Sequence, residues 1–77
     1  MERPTNEYLV FEEHEPAQGK KTKTVHVKSV RGAYLGMIIW YGAWRCYTFQ
    51  PAPVTVFNHG CLKTINEYIA QLMDERR

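Results

Sequence analysis

The middle of this chain has no acid. Between positions 16 and 66 there is neither Asp nor Glu, while Lys20, Lys21, Lys23, Lys28, Arg31, Arg45 and Lys63 all fall in that span. The acids sit at the ends, as Glu2, Glu7, Glu12, Glu13 and Glu15 on one side and Glu67, Asp74 and Glu75 on the other. The formal net charge is only +2, so distribution carries more information than total. A basic middle attracts anionic partners through its long-range field. The same lysines equally serve as a solvated surface that keeps strand edges from pairing. Within the acid-free span, paired-carboxylate chemistry is excluded.

Cysteine is nearly absent. Cys46 and Cys61 are too few for a disulfide-dense scaffold and form no CxxC pair. The opening MERPTNEYLV lacks the basic-then-apolar layout of a secretion signal. No apolar run approaches the ~20 residues that a membrane span needs. A reduced, cytoplasmic protein is the expectation. Ligand spacing is missing among His14, His26, His59, Cys46 and Cys61, and Walker A, GxGxxG and GxSxG motifs are missing altogether. No metal and no cofactor are expected. Cys61 follows His59 by two residues, but no acid lies nearby to orient the imidazole. It reads as a buried, inert thiol, and the protein as no enzyme.

Seventy-seven residues allow one domain, 1–77, with residues 1–6 as a flexible lead and a core over 22–73. A core of this size supplies only ~3–5 kcal/mol without help from disulfides, metal or a partner subunit. With the first two set aside, a partner subunit remains.

The centre of the chain is residues 33–50, AYLGMIIWYGAWRCYTFQ, which holds both tryptophans. It reads as two strands joined at Gly42-Ala43. Residues 22–30 form a preceding strand, with Val25 and Val27 on one face and Thr24, His26 and Lys28 on the other. Arg31-Gly32 supplies a two-residue turn. Residues 7–12 form a further strand candidate whose burial period is ambiguous. Pro51 and Pro53 keep residues 50–57 out of a central strand. From His59 onward, Leu62, Ile65, Ile69, Leu72 and Met73 recur at helical spacing, with Asn58 as N-cap and Cys61 and Tyr68 flanking. The architecture is α+β: a three- to four-stranded antiparallel β-meander with one C-terminal α-helix packed on one face.

The two turns predict the pairs Val27–Gly36, Val25–Ile38, Ile38–Tyr47, Gly36–Phe49 and Trp40–Arg45, the last as a cation–π pair. The face beneath the helix is then Val25, Val27, Tyr34, Ile38, Trp40, Tyr47 and Phe49. The opposite face carries Leu35, Met37, Ile39, Tyr41 and Trp44, and it is not cleanly polar. An apolar patch of that kind marks an interface, unless residues 7–12 or 51–57 fold over it. Those five residues are the candidate protein-binding site, for a homodimer or another protein. A second reading uses Lys20, Lys21, Lys23, Lys28 and Arg31 with neighbouring aromatics to bind single-stranded nucleic acid.

The run WYGAWRCYTFQP at 40–51, followed by TVFN at 55–58 and CLKTINEYI at 61–69, resembles short uncharacterised proteins of phages, prophages and related mobile elements. The resemblance covers about half the chain, from Leu35 to Leu72. It implies an accessory or host-modulating role and assigns no catalytic residue.

Overall fold

The computed structural model describes residues 2–76. Met1 and Arg77, the outermost residues of the expected single domain, lie outside the described residues. Four strands, β1 (Leu9–His14), β2 (Thr24–Ser29), β3 (Tyr34–Tyr41) and β4 (Cys46–Pro51), form one antiparallel sheet in the order β1-β2-β3-β4. A single helix, α1 (His59–Glu75), packs against it. The α+β meander is as expected, with all four strands present.

Strand β1 begins two residues later than its sequence suggests. The Asn6 side chain accepts the Tyr8 N–H at 2.8 Å, and the Asn6 carbonyl accepts the Leu9 N–H at 3.3 Å. This Asx-type turn takes up the Tyr8 N–H, so the strand starts at Leu9, while the Tyr8 carbonyl accepts the Val30 N–H at 3.1 Å.

The β2–β3 register comes out as predicted, but by a different route. The loop has three residues rather than two. Gly32 donates to the Ser29 carbonyl at 2.9 Å, Ser29 donates to Ala33 at 2.8 Å, and Gly32 takes φ +94°. One extra residue by itself would turn every β3 side chain to the wrong face. A bulge absorbs a second one: Lys28 pairs with Tyr34, whereas Val27 pairs with Gly36. Leu35 is the bulged residue. Beyond it Val25–Ile38 pair as expected. The bulge exchanges two side chains. Tyr34 lies on the open face, its ring 5.6 Å from that of His26. Leu35 packs against the core on the helix side. Both corrections follow from one inserted residue.

The β3–β4 loop spans residues 42–45, closed by Tyr41–Cys46, with Trp44 donating to Tyr41 at 3.2 Å and Arg45 to Gly42 at 3.3 Å. Arg45 sits at φ +55°. Pairing is therefore Trp40–Tyr47, Ile38–Phe49 and Gly36–Pro51, displaced by two residues from the expected partners. An even shift preserves every face. Trp40 does not face Arg45. Its ring meets Tyr47 edge-on at 5.4 Å and takes the Arg76 guanidinium at 4.0 Å. At Gly36 (φ +150°) an added Cβ would lie 2.6 Å from the Gln50 carbonyl oxygen, so the close β3–β4 approach there admits no side chain.

Asn58 caps α1 as predicted, accepting the Cys61 N–H at 2.8 Å. The buried stripe is Cys61, Thr64, Ile65, Tyr68 and Leu72, rotated from the expected one. Leu62 is 50% exposed, while Ile69 and Met73 are half-buried. Two polar residues set this rotation. Thr64 donates to the Gly60 carbonyl and accepts from Asn6, while Tyr68 stacks on Phe11 at 4.4 Å and donates to Glu13. With Val25, Val27, Ile38 and Tyr47 they complete the core.

Glu13 lies on the helix side and gathers a network. Arg3 meets it at 2.6 Å and Glu75 at 2.5 Å, and Lys23 reaches it at 3.3 Å. Residues 2–6, expected as a flexible lead, are thereby held along the helix, where Gln71 also donates to the Glu2 carbonyl at 2.5 Å. Burial alone would raise the Glu13 carboxyl. Hydrogen bonds from Arg3 and Tyr68, the Arg3 charge and Lys23 outweigh it and hold the group at about 2. The Tyr68 phenol moves up, through burial first and then Glu13.

A carboxylate depressed on folding contributes stability that is present above its unfolded pKa and lost as pH falls through the folded one. We expect stability to decline from about pH 4.5 toward about pH 2, read by thermal melts across that window. Glu13→Gln should flatten this acid limb and cost roughly 1–2 kcal/mol at neutral pH.

Candidate functional site

Strand alternation places two complete rows of side chains on the sheet face that α1 leaves open. One row runs Glu12, His26, Met37, Gln50; in the other, the pairs His14–Thr24 and Ile39–Thr48 are brought level by the Val25–Ile38 register beside them. Val10, Lys28 and Tyr34 border them at one end, Tyr41 and Cys46 at the other. Of the five predicted interface residues, Met37, Ile39, Tyr41 and Trp44 belong to this face and its adjoining hairpin. Leu35 does not, because the bulge turns it to the core.

Neither expected cover reaches this face. Residues 7–12 contribute to β1 and its preceding turn, within the plane of the sheet. Residues 51–57 send Phe57 against Phe49, ring centroids 5.3 Å apart, and into the core beneath the helix. Met37 and Ile39 are half-buried, and at one end Ile39 shares a cleft with Ala17, Lys20 and Thr22 of the β1–β2 loop. Trp44 is 72% exposed and holds its ring edge-on to Tyr41 at 5.1 Å. Together with Thr48, Phe49 and Gln50 they line a shallow cleft of about 250 Å³.

Charge on the face is confined to the β1 side and is internally paired. Lys28 meets Glu12 at 3.1 Å, and His14 Nε2 lies 3.0 Å from the other Glu12 oxygen. The Lys28 hydrogen bond, then His14, hold the Glu12 carboxyl below its usual range. The His14 and His26 rings approach to 4.7 Å. Sequence reasoning missed Glu12, His14 and Tyr34 as members of this face. The 8–11 run is apolar on both parities, and a bulge has no signature in the residues around Tyr34.

The basic candidates do not come together. Lys20 and Lys21 lie in the β1–β2 loop, and Arg31 lies beyond the opposite end of β2. Lys23 is drawn to Glu13 on the helix side, and Lys28 to Glu12 on the open face.

A second apolar cleft, of about 330 Å³, opens at the start of α1 between Tyr8, Leu35, Val56, Phe57 and Cys61. Beside it Val54 adopts φ +57° with its side chain fully exposed, an unusual conformation for a β-branched residue. Cys61 is buried there and His59 is exposed. Among the described residues no three His, Cys, Asp or Glu groups are placed to hold a metal ion, and no helix is long and apolar enough to cross a membrane.

The sequence is 41% identical over 78 aligned residues to an uncharacterised 9.3 kDa protein of Acholeplasma phage L2, an alignment that spans all of this chain and 99% of that one. No family model and no solved structure matches it.

The two thiols differ in access: Cys46 is half-buried on the open face, and Cys61 is buried under the helix start. Ellman's reagent on the folded protein should titrate Cys46 first and reach Cys61 only on denaturant addition. Rapid modification of Cys61 in the native state would revive it as a nucleophile.

Proposed function

The chain belongs to the same family as that phage protein, and from this premise we propose that it is a small, non-enzymatic binding module of a phage or related mobile element. It acts in the reducing cytoplasm as an accessory or host-modulating factor. Its working surface is the open sheet face, centred on Met37 and Ile39 and flanked by Tyr41 and Trp44, and it binds protein as a homodimer.

The observation that carries this reading is the uncovered apolar centre of the sheet. Residues 7–12 belong to the sheet and its preceding turn, Glu2 is held at the helix, and Phe57 packs beneath it, so neither expected segment covers this face. A soluble domain leaves such a surface open where something else closes it. The β4 edge is a poorer candidate. The Tyr47 N–H is donated to Met73 Sδ at 3.4 Å rather than offered outward, and Pro51 has no N–H to offer. Pairing of Lys28 with Glu12 leaves the face with little net charge, which suits a protein surface better than a phosphate backbone.

In sedimentation velocity the protein should move from monomer toward dimer as its concentration rises through and above the micromolar range, and Met37→Glu or Ile39→Lys should yield a folded monomer of unchanged circular dichroism at every concentration. A wild-type monomer throughout the range overturns the dimer.

Nucleic-acid binding through Lys20, Lys21, Lys23, Lys28 and Arg31 is the second reading, and the dispersal of these residues weighs against it. Single-stranded oligonucleotides should show no salt-sensitive binding. A slope near −0.7 in log–log coordinates per neutralised phosphate would instead support that reading.

A further inference from the structure

Resting on the dimer reading above, we propose its geometry: two copies pack face to face about a two-fold axis that crosses all four strands at the level of Ile38. The axis follows the row Glu13–Val25–Ile38–Phe49, whose side chains point to the helix. A rotation about it inverts the strands and exchanges the two rows of the open face. Met37 then lies over Ile39 of the second copy, Gln50 over Thr48, His26 over Thr24, and Glu12 over His14. A thioether and a sec-butyl group meet in the middle. An amide meets a hydroxyl, an imidazole meets a hydroxyl, and a carboxylate meets an imidazole. The face is complementary to its own inverted image, as an isologous interface requires.

Other placements of the axis lose this match. On the Glu12–His26–Met37–Gln50 row it would set Glu12 against Glu12 and His26 against His26. On the His14–Thr24–Ile39–Thr48 row it would set His14 against His14 and leave Glu12 beyond the overlap. Running the axis along the strands would lay β2 over β3, with Lys28 and His26 facing the strand that carries Met37 and Ile39. Avoidance of like-group contacts therefore selects one axis. The same axis brings Tyr41 to the Tyr34 end of the second copy, and both rings are exposed in the single chain. Aligned sheets cross at about 30°, so the pairs on β2 and β3 approach most closely. Four strands ~4.8 Å apart and about six residues long give a planar footprint of roughly 400 Å². That is below the ~800 Å² per partner of a standard interface, so dissociation in the micromolar range is expected.

The test is cysteine cross-linking in a Cys46→Ser background. Chains carrying Met37→Cys and chains carrying Ile39→Cys are mixed in equal amounts and oxidised with diamide well above the dissociation constant. The mixed 37–39 disulfide should form several-fold faster than either symmetric one, because residues 37 and 39 of the two copies stand opposite one another while the like pairs are offset by about 7 Å along the strand. Thr48→Cys with Gln50→Cys repeats the test on β4 and serves if the first pair fails to fold. Symmetric or unselective cross-links in a protein that still sediments as a dimer would overturn the geometry and leave the dimer standing. A monomer with no cross-links would overturn both.

Discussion

One helix has only one sheet face to cover, and the rest of this structure answers to that limit. A chain of 77 residues has room for four strands and a seventeen-residue helix. The helix draws Val25, Val27, Ile38 and Tyr47 into a core closed by Cys61, Ile65, Tyr68 and Leu72. Everything the helix cannot reach must either tolerate water or find another cover. Most of the far side tolerates it, through Thr24, Thr48, Gln50 and the Glu12–Lys28 pair. Met37 and Ile39 are the residues that do not.

Because the allocation of faces decides so much, the bulge at Leu35 has an effect out of proportion to its size. It corrects an inserted loop residue and returns Ile38 to the core. Without it the β3 side chains beyond would exchange sides, placing Met37 and Ile39 against the helix and Ile38 in water. The bulge also delivers Leu35 to the cleft at the helix start and Tyr34 to the open face. A local irregularity of one residue therefore decides the composition of both surfaces.

The fold was legible where the pattern is periodic and strong. Alternation through Val25 and Val27 located β2, and the helical spacing after Asn58 located α1. The register was less so, because loop length in a hairpin depends on backbone geometry that Gly32 and Arg45 permit but do not announce. The errors were even-numbered or self-cancelling, and for that reason the faces survived them while the partners of Trp40 and Phe49 did not. Leu62 falls outside the buried stripe because apolarity alone does not set the stripe. Tyr68 and Thr64 enter the core by satisfying their hydroxyls on Glu13, Gly60 and Asn6, which no periodicity scan registers. The open face was legible in Met37, Ile39, Tyr41 and Trp44. Its polar half, Glu12 and His14, depended on the register of β1, which an apolar run of both parities cannot set.

The contact of Arg3 with both Glu13 and Glu75 has a practical side. It fastens residue 3 to residue 75, so the first and last described turns of the chain meet at a seam on the helix layer. Arg3 and Glu75 lie on the helix side, with the whole thickness of the sheet between them and Met37. A tag, a fluorophore or a fused neighbouring gene product joined at that seam would ride on the back of the molecule and leave its front clear.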